Sequence, residues 1–211
     1  MPSEDVAARV AGRRPGSLST AAAISVRTMK ERMLRGELYK ADAAALQADH
    51  ARAQELLERY NATRHTEQDE RDRLLRELLG EVAEGVVVKP PFRCDYGSQI
   101  SIGAGTFVNY GCVILDVVPV RIGAYCQLAT NVQLLAATHP VEPKPRREGW
   151  EYGEPITIGD NVWLGGGAIV CPGVTIGDDT VVGAGAVVTR DLPARVVAVG
   201  NPARVLRTID G

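Results

Sequence analysis

IGDNVWLGGGAIVCPGVTIGDDTVVGAGAVVTRDL, residues 158–192, repeats a branched aliphatic or leucine at every sixth position: Ile158, Leu164, Val170, Ile176, Val182 and Val188. A second, mostly small residue follows each by four places, at Val162, Ala168, Val174, Thr180, Ala186 and Leu192. A period of six fits neither an amphipathic helix nor an alternating strand. It fits a solenoid in which each hexad is a short strand plus a turn, with the aliphatic pointing to a shared axis. Gly159, Gly165, Gly177 and Gly183 follow the aliphatics directly, and are expected to supply the positive φ of the corners. Burying one such side chain contributes about 1.5–3 kcal/mol, less than ordering six backbones at roughly 1–2 kcal/mol each. The stack must therefore fold as a whole.

Working outward, Ile102, Val108 and Ile114 form an earlier set of hexads, and a two-residue slip over residues 116–121 resets the phase to Ile122, Leu128 and Leu134. The repeat then stops. Residues 139–155 are a polar insertion with Pro140, Pro143, Pro145, Trp150 and Glu151, and long insertions in compact repeats are usually functional or disordered. Upstream, Met33, Leu34, Leu38, Leu46, Leu56, Leu57 and Tyr60 keep helical spacing between charges, which predicts a helix, a turn and a second helix. Thr66 is expected to cap a third, with Leu74, Leu75, Leu78 and Leu79 as its apolar stripe and Gly80 as its stop. The domain reading is a disordered tail over 1–28, a helical segment over 29–84, and a β-solenoid over 85–209 carrying the insertion 139–155.

The 211 residues carry a formal net charge of −2, with 45% hydrophobic and 24% charged. That balance gives no electrostatic reason to expect nucleic acid or an anionic membrane as partner. No apolar run reaches bilayer-spanning length, and the run at Ala21–Ile24 is too short for a signal peptide, so a cytoplasmic location is expected. Cys94, Cys112, Cys126 and Cys171 lack metal-ligand spacing, and read as buried thiols rather than zinc ligands or nucleophiles. Of three histidines, His139 alone stands where a strand breaks into a loop, and Pro140 biases it toward extended backbone. A neutral imidazole there can act as a base near neutral pH.

The repeat, Thr138–Pro140 (THP), ITIGDNVWLG at Ile156–Gly165 and GNPAR at Gly200–Arg204 resemble the hexapeptide-repeat maltose and galactoside O-acetyltransferases. ERMLRGELYKAD from Glu31 and FRCDYG at Phe92–Gly97 resemble the maltose acetyltransferase branch in particular. The resemblance covers about 29–209. It implies a mainly β fold, a left-handed parallel β-helix with an N-terminal α-helical segment, assembled as a homotrimer with active sites between subunits. It also implies direct transfer of acetyl from acetyl-CoA to a sugar hydroxyl, the 6-hydroxyl of maltose or glucose first, with no resident metal.

The resemblance carries roles onto residues. His139 is the general base, and Glu151 a carboxylate that holds the imidazole. Asp42, Asp95 and Asn109 fall at acceptor positions, Asp42 within one residue of the family aspartate. Gly166, Ala184, Thr189, Arg190, Arg204 and Arg207 fall at acetyl-CoA positions, the arginines meeting phosphates through charge-assisted hydrogen bonds. Some relatives carry serine at Gly166 and lysine is usual at Arg190, which keeps charge with different geometry. The competing acceptors are a galactoside, an oligosaccharide or a xenobiotic alcohol. Three other classes compete: a noncatalytic scaffold; a zinc carbonic anhydrase type, which one solenoid histidine cannot build; and a serine acetyltransferase, which the helical segment disfavours.

Overall fold

The computed structural model of the chain describes residues 27–210. The tail expected over 1–28 thus lies outside the described residues, apart from its last two, and those two belong to the fold. Thr28 caps the first helix in a capping box: its hydroxyl accepts the Glu31 N–H at 3.2 Å and the Glu31 carboxylate accepts the Thr28 N–H at 2.7 Å. Arg27 pairs with Glu37 at 2.6 Å.

Among the described residues three helices come first, α1 (Met29–Leu34), α2 (Ala44–Asn61) and α3 (Gln68–Leu78). The first coil then holds β1 (Glu81–Val82), β2 (Val87–Val88) and β3 (Arg93–Cys94), and the second β4 (Ile100–Ile102), β5 (Phe107–Val108) and β6 (Val113–Leu115). The third holds β7 (Val120–Ile122), β8 (Gln127–Leu128) and β9 (Gln133–Leu135). An excursion of β10 (Ala137–Thr138), α4 (Pro143–Arg147) and β11 (Tyr152–Gly153) interrupts the winding. The fourth coil is β12 (Ile156–Ile158), β13 (Trp163–Leu164) and β14 (Ile169–Val170); the fifth is β15 (Thr175–Ile176), β16 (Val181–Val182) and β17 (Val187–Val188). Finally β18 (Val196–Val199) turns back into the antiparallel β19 (Arg204–Thr208).

Like strands of successive coils pair in parallel, giving three faces: β1-β4-β7-β12-β15, β2-β5-β8-β13-β16-β18 and β3-β6-β9-β14-β17. This is a left-handed parallel β-helix with an N-terminal helical segment. The hexad aliphatics stack in register, Leu164 between Leu128 and Val182, and Val170 between Leu134 and Val188. Ile158, Leu164, Val170, Ile176, Val182 and Val188 are all buried, as are the small residues Val162, Ala168, Val174, Thr180 and Ala186. Thr180 satisfies its hydroxyl on the Pro193 carbonyl at 2.8 Å.

The glycines after the aliphatics differ from expectation. Positive φ belongs instead to the residue two places on, at Asn161, Gly167, Asp179 and Gly185. The earlier glycine is needed for close approach: a Cβ on Gly165 would come within 2.5 Å of the Ala184 backbone nitrogen on the next coil. The solenoid also begins earlier than the hexad pattern, because Val88 and Cys94 stack under Val108 and Ile114 across a prolyl-interrupted coil.

The helices seal the open end of that first coil, where backbone groups lack a preceding coil to pair with. The Tyr60 hydroxyl donates to the Val88 carbonyl at 2.6 Å. Asn61 donates to the Phe92 carbonyl and accepts its N–H, at 3.0 and 2.9 Å. Leu56, Leu57, Leu74, Leu75 and Leu78 are buried beneath them. The expected Thr66 cap is not formed. Glu67 occupies the cap position of α3 without a side-chain cap, its carboxylate accepting the Arg64 N–H at 2.8 Å.

Leu164→Ala tests the stack, since its side chain is completely buried. We expect a loss of about 2–5 kcal/mol in urea unfolding; an unmoved midpoint would show that the coils do not depend on their shared axis.

Candidate active site

Every break in the six-residue rhythm falls on one edge of the prism, where the third face turns into the first. Residues 95–99 and 116–119 each lengthen that corner, and the excursion between β9 and β12 leaves from it. Long corners on adjacent coils must pack on one another, and their polar groups converge. Asp116 is buried and accepts the backbone N–H groups of Asp95 at 3.1 Å, Tyr96 at 2.9 Å and Gln99 at 3.1 Å. Burial pushes its pKa up, against those three donors. Asp95 is half-buried beside it, and burial, then the charges of Asp116 and Glu151, raise its carboxyl to about 6. Tyr96 is buried at the same corner, its hydroxyl raised by burial and by Asp95.

The excursion is a short hairpin carrying a one-turn helix. Its ladder pairs Ala137 with Gly153 and Thr138 with Tyr152. Extending that register one step past its last pair puts His139 across from Glu151, and cross-strand partners in an antiparallel pair share a face. On its other side Glu151 bridges to Tyr39: the Tyr39 N–H donates to the Glu151 carbonyl at 2.9 Å and the Glu151 N–H to the Tyr39 carbonyl at 3.1 Å. His139, Glu151 and Tyr39 therefore form a row, with His139 exposed, Glu151 half-buried and Tyr39 completely buried. Burial first, then the Glu151 charge, holds the Tyr39 phenol well above its ordinary pKa.

The segment after α1 grips this hairpin tightly. A Cβ on Gly36, which has φ +69°, would come within 2.8 Å of the Gly153 carbonyl oxygen. A Cβ on Gly153 would meet Val117 and Val118 at 2.6–2.9 Å. Trp150 lies under the Arg32 guanidinium at 5.6 Å and the Lys40 ammonium at 5.0 Å.

The structure thus brings Asp95, His139 and Glu151 to one edge, and Thr189 and Arg190 begin the same corner of the fifth coil. Asn109, Gly166 and Ala184 lie on a different edge, between the second and third faces. Asn109 is half-buried, its side-chain carbonyl accepting the Tyr110 N–H at 2.8 Å. Arg204 and Arg207 are exposed on β19. Asp42 is exposed in the turn ahead of α2. Sequence reasoning passed over Tyr39 and Tyr96 and treated Asp116 only as part of a slip. The available signal for Asp116 was a lone carboxylate inside an apolar run, Val113 to Val120.

Cys94, Cys112 and Cys126 are buried free thiols, and burial pushes Cys112 up to about 11. Such thiols stay protonated near neutral pH and are inert. Among the described residues no cluster of His, Cys, Asp or Glu is arranged to hold a metal ion, and no helix is long and apolar enough to cross a membrane.

A stacked hexapeptide solenoid with a helical cap and an irregular polar edge defines a class, the hexapeptide-repeat acyltransferases. The maltose acetyltransferase hexapeptide capping motif matches residues 32–83 and the six-repeat bacterial transferase hexapeptide matches 155–190. Nodulation protein L of Rhizobium meliloti (strain 1021) is 52% identical over 179 residues, 85% of this chain and 98% of that protein. The crystal structure of a maltose O-acetyltransferase from Clostridium difficile 630 superposes with TM-score 0.86 at 45% identity, covering 88% of this chain and 99% of that one. A galactoside acetyltransferase in complex with coenzyme A superposes with TM-score 0.85 at 39% identity, covering 88% and 92%. The chain belongs to the hexapeptide-repeat sugar O-acetyltransferase family that includes the maltose and galactoside acetyltransferases, and is an acyltransferase of that family.

Because the folded state raises the Asp95 pKa to about 6, it binds this proton more tightly than the unfolded chain, whose value is about 3.9. Stability from this group is then highest below about pH 4 and is lost as pH rises through about 6. Asp95→Asn should add on the order of 1–3 kcal/mol at pH 8 and little at pH 4 in urea titrations. An equal gain at both pH values would remove the carboxylate's charge as the cause.

Proposed function

We propose that the protein transfers acetyl from acetyl-CoA to a sugar hydroxyl in a ternary complex, with His139 as general base and glucose or maltose 6-hydroxyl as the first acceptors to try. The observation that supports this reading is the register of the hairpin, which, carried one step past its last pair, brings the exposed His139 across from Glu151. In the reaction the imidazole takes the hydroxyl proton as the oxygen attacks the thioester carbonyl. The C–S bond then breaks, and the imidazolium returns the proton to the leaving thiolate. Glu151 fixes the imidazole and offsets its charge while it is protonated, as a carboxylate does for a catalytic histidine.

Acetyl-CoA as donor is supported by the relative bound to coenzyme A. The chain's own residues fit that cosubstrate. Gly166 and Ala184 leave the corner backbone of one edge open to a slender pantetheine arm, Thr189 and Arg190 stand on another edge and would meet it from a neighbouring copy, and Arg204 and Arg207 offer phosphates a cationic end. Asp95, Asn109 and Asp42 are the acceptor-gripping candidates.

The assembly we propose is a homotrimer. Acceptor residues divide between two prism edges, Asn109 on one and Asp95 with His139 on another. One hexad of strand, at about 3.3 Å per residue, separates such edges by up to about 20 Å. A single small sugar is too short to be held from both within one subunit. The outward residues differ by face as well: Ser101, Arg121, Thr157 and Thr175 on the first, but Val87, Phe107, Trp163, Val181 and Val197 with a single Gln127 on the second, and Val113, Ile169 and Val187 with Arg93 and Gln133 on the third. Two mainly apolar faces meeting at the Asn109 edge suit packing against further copies. Free cysteines and acetyl-CoA use fit a cytoplasmic site of action.

His139→Ala should lower kcat for CoA release about 10²–10⁴-fold across glucose, maltose and a galactoside, with the assembly mass unchanged. Undiminished turnover would remove His139 as the base, and no turnover of any sugar by the unaltered protein would sink the acceptor class. Arg204→Ala should raise the KM for acetyl-CoA about 10-fold or more while leaving the sugar KM in place. An unmoved donor KM would take Arg204 out of the site.

A further inference from the structure

The helical segment does more than cover apolar surface, because it delivers Tyr39 to the third place in the row that begins with His139. The Tyr39 side chain is completely inaccessible; its hydroxyl has no hydrogen bond of ordinary geometry, but the Glu151 carboxylate lies near enough to act on it by charge and by hydrogen bonding. A buried donor short of a well-formed partner is rare and calls for an explanation. The position is not loosely determined. Tyr39 and Glu151 exchange both backbone hydrogen bonds, which sets their side chains on one face of the bridge. Gly36 closes the same contact three residues earlier. The ionisable groups that act on the phenol are Glu151, Tyr96 and Asp95. Of these, Glu151 alone is also its backbone partner and stands opposite His139.

We propose that Tyr39 is a positioning residue of the transferase site: its hydroxyl donates to the Glu151 carboxylate and holds it toward His139. The inference rests on the role given above to Glu151. It assigns the N-terminal helical segment a part in catalysis, exercised through one phenol. No bond is made or broken by Tyr39, and its proton stays on oxygen throughout. Removing the donor leaves Glu151 free to turn toward solvent, so the loss falls on the chemical step and not on either substrate's binding.

The test compares Tyr39→Phe, Glu151→Gln and the double variant with the unaltered protein, measuring CoA release with glucose, maltose and a galactoside at saturating acetyl-CoA. Tyr39→Phe keeps the buried ring, and thermal melting verifies that it folds. We expect kcat to fall roughly 10- to 100-fold, the loss of one hydrogen bond to a charged group, with both KM values unchanged. Adding Tyr39→Phe to Glu151→Gln should cost nothing further, because the phenol acts only through that carboxylate. Losses that multiply in the double variant, or a raised KM for the sugar or acetyl-CoA, overturn the proposal in favour of direct contact or general packing. A Glu151→Gln variant that is impaired beside a Tyr39→Phe variant that is not overturns the Tyr39 role alone. A fully active Glu151→Gln beside an inactive His139→Ala removes the Glu151 reading and this one with it, as does absence of turnover with all three sugars.

Discussion

Coil-to-coil stacking is the constraint on which the rest depends. Each inward aliphatic is covered by the residues above and below it in the same face, Leu128, Leu164 and Val182 being one such column. Because the cover comes from another coil, a coil cannot be stable alone, and its rise is set by the strand spacing of about 4.8 Å. That spacing explains the glycines better than backbone freedom does. At Gly165 the next coil passes so near that a methyl group has no room. The same tightness leaves only one place for irregularity, the corner, where extra residues can loop outward without shifting a column.

Concentrating the irregularity on one edge has an electrostatic consequence. Asp95, Asp116 and Glu151 are brought together beside the helical cap, Asp116 buried and the other two partly so, where they influence one another. Asp116 is tolerated because three backbone N–H groups point at it, and it serves to shape the 95–99 corner. Asp95 has no such set of donors, and its raised pKa records the difference. An edge that gathers a carboxyl poised near neutrality, a second carboxylate and an imidazole is suited to handling the proton of a hydroxyl group.

The cap has two attachments of different character. Through Tyr60 and Asn61 it completes the backbone hydrogen bonding of the first coil, which is an edge-sealing role any solenoid needs. Through Gly36, Tyr39 and the Trp150 contacts it fastens the hairpin that leaves the third coil. The hairpin has only two ladder pairs of its own, too few to stand unaided. Its register is supported by that second attachment.

Much of this was legible in the sequence because a six-residue period has one physical solution: the columns from Ile158 to Val188, the slip at residues 116–121 and the excursion at 139–155 were all readable as spacing. The helices were readable too, apart from the Thr66 cap, since local propensity does not say which of two neighbouring residues starts the turn. What spacing could not show was what meets across it. The solenoid reading from residue 85 took in this stretch, but its inward positions went unassigned because Val88 and Cys94 declare themselves only against Val108 and Ile114. Tyr39 lies far from Glu151 in the chain and becomes its partner only through a bridge between cap and hairpin. Asp116 and Asp95 acquire their burial from the same convergence. Periodicity is a property of neighbours along the chain, and it determined the solenoid; the chemistry of the edge depends on contacts between distant segments, which tertiary packing alone decided.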